Sequence, residues 1–162
     1  MFAIGVDGLD ETSARLDALP TALCAALTAK AAELSAALAD RVKNDKLMGG
    51  VLNPRSGALR DSILAEVSAT GDAVLGAVGS SGDVKYAAIQ ECGGRTAAHE
   101  ILPSKAHALA FVAGGAQRFA RKVEHPGSLI PERSYLRSSL EEMSDEIASS
   151  LAGAAAEARA RS

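Results

Sequence analysis

Tryptophan is absent from this chain, and aromatic residues of every kind make up 3% of its 162 positions. A stacking platform for single-stranded nucleic acid needs several aromatic faces, so the composition argues against one. A positive excess that would hold a protein on duplex DNA is missing too. The chain has 17 Lys and Arg against 20 Asp and Glu, a formal net charge of -3. Its two cysteines, Cys24 and Cys92, fit neither a zinc-ligand spacing nor a CxxC redox pair, and read as small buried thiols in a reducing compartment. The first residues, MFAIGVDGLDE, lack the basic region and long apolar run of a signal peptide. No stretch reads as the ~20 consecutive apolar residues of a membrane span. The expectation is a soluble protein, made and used without secretion and with no membrane partner.

The length predicts a single domain over 1–162, with a light core built mostly from Ala, Leu and Val. Residues 2–7 suggest a short strand, after which Asp10 is a candidate N-cap. Leu16, Leu19, Leu23, Leu27, Leu34, Leu38 and Val42 then recur at helical spacing, one stripe of an amphipathic helix. Pro20 interrupts it and predicts a kink or a fresh start there, and Gly49 and Gly50 are stop signals. Ser56 is placed to cap one helical turn. SILAEVSA and AVLGAVGS flank TGD as a β-hairpin. A short helix is predicted in VKYAAIQECGG, stopped at Gly93 and Gly94, followed by a loop or extended arm. HALAFVA and AQRFARKVE form a second hairpin around Gly114-Gly115, a pair suited to a primed turn. From Tyr135 onward, Leu136, Leu140, Met143, Ile147, Leu151 and Ala155 mark a long terminal helix. The expected architecture is α+β: two hairpins in one four-stranded antiparallel sheet, packed against a long N-terminal and a long C-terminal helix.

Site chemistry is sparse. His99, Glu100, His107 and His125 are the candidates for metal or acid–base work, but HE at 99–100 lacks the second histidine of a zincin helix. A small metal-dependent hydrolase using His99, Glu100 and His125 is the alternative reading, beside an adaptor protein. GAVGSSG fits no phosphate loop, and Ser56, Ser62 and Ser134 have no nucleophile signature. The sequence therefore predicts no catalytic residue, no cofactor and no metal. Arg118, Arg121 and Lys122, with Arg133 and Arg137, form a local basic cluster in an acidic chain. They read as a solvated face or as a contact for an acidic surface, including another copy of the chain. In HPGSLIPERSYLR, Pro126 and Gly127 suit a type II turn and Pro131 biases Ile130 to an extended form. Such an arm orders at little entropic cost and presents Leu129, Ile130 and Arg133. The plainer alternative is a hydrophobic staple, with Ile130 or Tyr135 covering the first turn of the last helix.

Three blocks in order resemble one family. NPRSGALRDSI matches a Ser-Gly-x-Leu-x-x-Ser-Ile turn at Ser56, Gly57, Leu59, Ser62 and Ile63. KYAAIQECGG matches a Tyr-Ala-x-x-x-Glu-x-Gly block at Tyr86, Ala87, Glu91 and Gly93. ILPSKAHALAF and HPGSLIPERSYLRSSL follow, with Pro131, Arg133, Tyr135 and Leu136 in a Pro-x-Arg-x-Phe-Leu pattern. Over about residues 52 to 140 the chain resembles the tail-completion or neck (head–tail joining) proteins of long-tailed bacteriophages and the related virion-morphogenesis proteins of Mu-like phages. Cys92 and Gly94 depart from the pattern, standing where an aromatic and a threonine are common.

The resemblance implies a structural virion protein rather than an enzyme, in a ring, as a hexamer, at the head–tail junction. Its partners would be itself and other neck and tail proteins (head-closure, tail-terminator or tail-tube), with DNA at most passing through the lumen. It would assemble in the host bacterial cytoplasm. A ring needs two different surfaces per subunit, and the expected assembly interface is Arg55, Tyr86, Glu91, Leu129, Ile130 and Arg133.

Overall fold

A 33-residue helix, α1 (Leu9–Arg41), dominates the N-terminal half of the computed structural model, which describes residues 9–71, 73–104 and 107–161. The helix is assigned without a break through Pro20, so the interruption expected there does not divide it. Asp10 lies inside α1 rather than at its cap, and the strand expected at 2–7 lies outside the described residues. An 18-residue window of mean hydropathy 1.4 within Thr12–Gly50 makes this helix long and apolar enough to cross a membrane, by length and composition alone. The sequence reading missed it because alanine, not an unbroken leucine run, supplies the hydropathy. A π-helical extension, Val42–Gly50, follows. Gly49, at φ 109°, ends it at the expected place, where Val51 and Leu52 both donate to the carbonyl of Lys46.

The chain divides into two compact units, where the length alone suggests one domain. The first is Met1–Ala87 with Ser134–Ser162, and the second is Ala88–Arg133. In the first unit, α2 (Ala58–Asp61) starts where Ser56 Oγ accepts the Ala58 N–H at 3.4 Å. Then β1 (Ile63–Thr70) pairs antiparallel with β2 (Ala73–Ser80), Ile63 opposite Ser80 and Thr70 opposite Ala73. The register puts Val67 opposite Gly76 on the face that meets α1. A Cβ at Gly76 would come within 2.6 Å of Ser35 Oγ on α1. A residue without a side chain is thus what lets the hairpin backbone settle on the helix. The helix α4 (Leu136–Arg161) packs along α1.

The core of this unit joins Ala39, Val42, Leu47, Leu59, Ile63, Ala87 and Tyr135. Tyr135, just before α4, is almost fully buried and its hydroxyl donates to the carbonyl of Ala87 at 3.2 Å. It ties the start of α4 to the core of the unit. Most of the expected stripe on α4 is inward: Met143 is buried, and Leu136, Ile147, Leu151 and Ala155 are half-buried. Ser139 is fully buried, its hydroxyl donating to the Tyr135 carbonyl at 2.7 Å, whereas Leu140 is 50% exposed. Along α1 the buried positions gather at the C-terminal end, and Leu16 is 63% exposed. Cys24 is half-buried and Cys92 exposed, both free thiols, so the expectation of two buried cysteines is corrected.

The second unit begins in the short helix α3 (Ala87–Cys92), which spans the junction, and contains six short strands: β3 (Gly94–Arg95), β4 (His99–Ile101), β5 (Leu109–Ala113), β6 (Ala116–Ala120), β7 (Val123–His125) and β8 (Leu129–Ile130). They pair β3 with β8, β4 with β7 and β5 with β6, all antiparallel. Gly114 and Gly115, at φ 62° and 77°, make the β5–β6 connection, the primed geometry expected of them.

The fold is α+β, with a long helix near each end. The two expected hairpins form, but among the described residues they do not join into a four-stranded sheet. The physical reason is that the strands leading out to the second hairpin pair with the strands returning from it. Gly94 faces Ile130, Arg95 faces Leu129 and His99 faces His125. The register is the same across the gap, so β3–β8 and β4–β7 are one interrupted ribbon that takes up the backbone groups a wider sheet would need.

Candidate assembly surfaces

The stiff segment 125–131 lies in the return strand of this ribbon. Pro126 has no N–H to give to the ladder, and pairing lapses there without a change of register. Gly127 has the positive φ expected, 86°, but the chain does not reverse, so the turn is instead a break in the ribbon. A side chain at Gly127 would collide with the carbonyl of Thr96 on the opposite strand. Thr96 binds the far side of the break: its N–H donates to the Ser128 carbonyl at 2.9 Å, and its hydroxyl accepts the Ser128 N–H at 2.7 Å. At the base of the ribbon the Arg133 N–H donates to the Gln90 carbonyl of α3 at 2.9 Å. A Cβ on Gly93 would sit 2.7 Å from the Glu132 nitrogen. Backbone contacts therefore hold residues 132–133 against the end of α3.

The six residues expected at an interface divide between the units. Arg55 and Tyr86 belong to the first, and both are exposed; Glu91, Leu129, Ile130 and Arg133 belong to the second. Within the second unit the structure brings Glu91, Ile130 and Arg133 to the same end of the ribbon, through the α3 contacts just described. Leu129 is 82% exposed, Ile130 and Glu91 are half-buried, and the Arg133 side chain is exposed. The basic cluster is not one patch. Lys122 lies 2.5 Å from Glu100 and 3.3 Å from Glu124, while Arg118 stands opposite Phe111 in the β5–β6 hairpin.

No local pattern in the sequence indicates that His99 and His125 meet. The β4–β7 register sets them opposite one another, with ring centroids 5.1 Å apart and planes 26° from parallel. His125 Nδ1 accepts the Gly127 N–H at 3.1 Å, and His99 Nδ1 lies 3.2 Å from the Ala97 carbonyl. Glu100 alternates to the other side of its strand, where Lys122 holds it. The three side chains of the hydrolase alternative thus do not converge, and among the described residues no three His, Cys, Asp or Glu side chains group as metal ligands.

No family model, curated protein or solved structure matches the chain. The geometry therefore has to be read on its own terms. Its most distinctive feature is the apolar surface of the ribbon. Ile101, Leu102, Phe111, Val112, Phe119 and Leu129 are all exposed, and none of the described residues of this unit is buried.

Proposed function

We propose that the protein is a structural component of a long-tailed bacteriophage particle, one subunit of a hexameric ring at the head–tail junction. The reading rests on the resemblance of residues 52 to 140 to neck and tail-completion proteins. The observation that carries it further is the ribbon of Ala88–Arg133, which displays large apolar side chains and encloses no core of its own. Monomeric proteins rarely leave contiguous apolar surface open, and such surface marks sites of association. In a ring each subunit offers two different surfaces to its neighbours. Self and adjacent neck or tail proteins are the proposed partners, and the assembled virion is the proposed location.

The test is a particle made with and without the chain. Loss of the protein is expected to leave DNA-filled heads and separate tails that fail to join, with infectivity restored by supplying it in trans. Cryo-electron microscopy of the intact particle would then show its density at the junction. Normal joined particles in its absence would overturn the reading.

A further inference from the structure

Two surfaces on this one chain each set exposed apolar side chains near a charge, and the two charges are opposite in sign. The first is the outward face of the β1–β2 hairpin, turned away from α1. Strand alternation places Leu64, Glu66 and Ser68 there, opposite Gly79, Ala77 and Leu75. Leu64 is 51% and Leu75 65% exposed. A shallow cavity of about 240 Å³ opens beside Leu64, Glu66, Ala77 and Gly79. Glu66 is exposed and makes no ion pair among the described residues.

The second surface is one face of the β5–β6 hairpin. Ala110 stands opposite Phe119 and Val112 opposite Gln117, so these four side chains share a face. Val112 is 73% and Phe119 69% exposed. Arg121, two residues beyond Phe119, is exposed and has no ion-pair partner among the described residues. On the first surface Leu64 and Leu75 flank a carboxylate, with Leu75 opposite Ser68; on the second, the diagonal neighbours Val112 and Phe119 are followed by a guanidinium.

The wider charge balance has the same sense. Ala88–Arg133 holds six of the 17 Lys and Arg but four of the 20 Asp and Glu, a balance of +2. The other unit holds the remaining 11 and 16, a balance of -5. Opposite fields of this kind steer encounter and fix orientation.

We infer that the β5–β6 hairpin of one copy docks on the outward β1–β2 face of a second copy, with Phe119 and Val112 at Leu75 and Arg121 beside Glu66. The contact is head-to-tail, so a docked pair still offers one free hairpin and one free face, and the arrangement closes as a ring or extends. A second copy is the chosen occupant because both halves of the complement lie on the same chain. The inference deepens the ring reading above. Its test is separate, because self-association of the purified chain succeeds or fails whatever particle the chain belongs to.

Sedimentation velocity of the full chain over a concentration series provides the test. Wild-type protein is expected to associate reversibly and less at high salt. Phe119→Asp on the hairpin and Leu75→Asp on the face should each weaken association by roughly tenfold or more, as expected when a buried interface anchor is lost. An equimolar mixture of the two should form a dimer, because one variant keeps an intact hairpin and the other an intact face. Circular dichroism melts check that both variants fold; should either unfold, Arg121→Glu and Glu66→Arg replace them, with association restored when both changes are in one chain. A wild-type chain that stays monomeric, variants that associate like wild type, or a mixture that gains no dimer would each overturn the inference. Association lost in Phe119→Asp but kept in Leu75→Asp would indicate a hairpin-to-hairpin contact instead.

Discussion

The two units of this chain obtain order in different ways. In the first, helices and a hairpin converge on side chains that exclude water: Val42, Ile63 and Tyr135 are almost wholly buried, and Ser139 satisfies its hydroxyl on a helix carbonyl. In the second, order comes from a ladder of short antiparallel pairs and from backbone packed on backbone at Gly93 and Gly127. An isolated two-stranded hairpin is marginal in water, because it buries too little apolar surface to offset the entropy of ordering its backbone. The comparison teaches that the apolar residues of the ribbon contribute little to its own unit and are available to a surface outside it.

The largest expected effect tests that contrast directly. Ile63→Ala should destabilise the protein by about 2–5 kcal/mol, the range for truncating a fully buried large aliphatic side chain. Phe119→Ala, on the exposed ribbon, should change unfolding of the dilute monomer by less than about 0.5 kcal/mol. Urea denaturation at low protein concentration measures both. Equal losses would mean that Phe119 is part of a folding core, and the contrast would fail.

Gly127 sharpens the comparison within the ribbon. Replacing it with alanine combines an unfavourable positive φ with a collision at the Thr96 carbonyl, a cost of roughly 1 kcal/mol or more. Hydrogen exchange should speed up at the Thr96 and Ser128 amides and stay unchanged at the amides of β1 and β2. Acceleration in both regions would show that the units unfold together.

How much of this was legible beforehand differs between the same two regions. Element by element, the sequence was a good guide: the long helices, both hairpins, the glycine stops and the short helix at Ala87–Cys92 all follow from periodicity and turn chemistry. Pairing between distant segments was not legible. His99 opposite His125 is set by a register that runs from Gly94 outward, and no local pattern encodes it. The same long-range pairing replaced the expected four-stranded sheet. On α4 the apolar spacing picked Leu140 as a core residue, but the buried row runs through Tyr135, Ser139 and Met143. A serine that bonds its own helix carbonyl is cheap to bury, and a hydrophobic pattern does not count it. Of the expected interface, Leu129 and Arg133 are exposed as foreseen, whereas the apolar face at Val112 and Phe119 was passed over as an ordinary hairpin.

A smaller effect is expected at the seam where the ribbon's base and the core begin, on the core side. Tyr135→Phe keeps the ring in place and removes only the hydroxyl that donates to Ala87. The Ala87 carbonyl would lose that partner, and the expected cost is about 0.5–1.5 kcal/mol. A thermal melt beside that of Tyr135→Ala separates the hydroxyl from the ring. If Tyr135→Phe cost as much as Tyr135→Ala, the hydrogen bond rather than ring burial would be what anchors α4.

The smallest effect distinguishes surface charge from burial in the first unit. Glu142 on α4 receives Lys46 at 2.5 Å and Arg41 at 3.0 Å, tying α4 to α1 and its extension. The Lys46 hydrogen bond, with the charges of Lys46 and Arg41 and the Arg41 hydrogen bond, holds the carboxyl below its ordinary value of 4.5, against a smaller opposing effect of desolvation. A carboxyl lowered in the folded state stabilises the fold at any pH above its unfolded value. That contribution falls away as pH drops below about 4.5 and through the lower folded value. Glu142→Gln should therefore be slightly less stable than wild type near neutral pH, by a constant margin down to the ordinary carboxylate range. The margin should shrink at more acid pH and also at high salt, since both partners lie at an exposed surface. Urea midpoints of the two proteins across that range give the comparison. A margin that persisted undiminished in acid would assign the effect to lost packing of the side chain rather than to its charge.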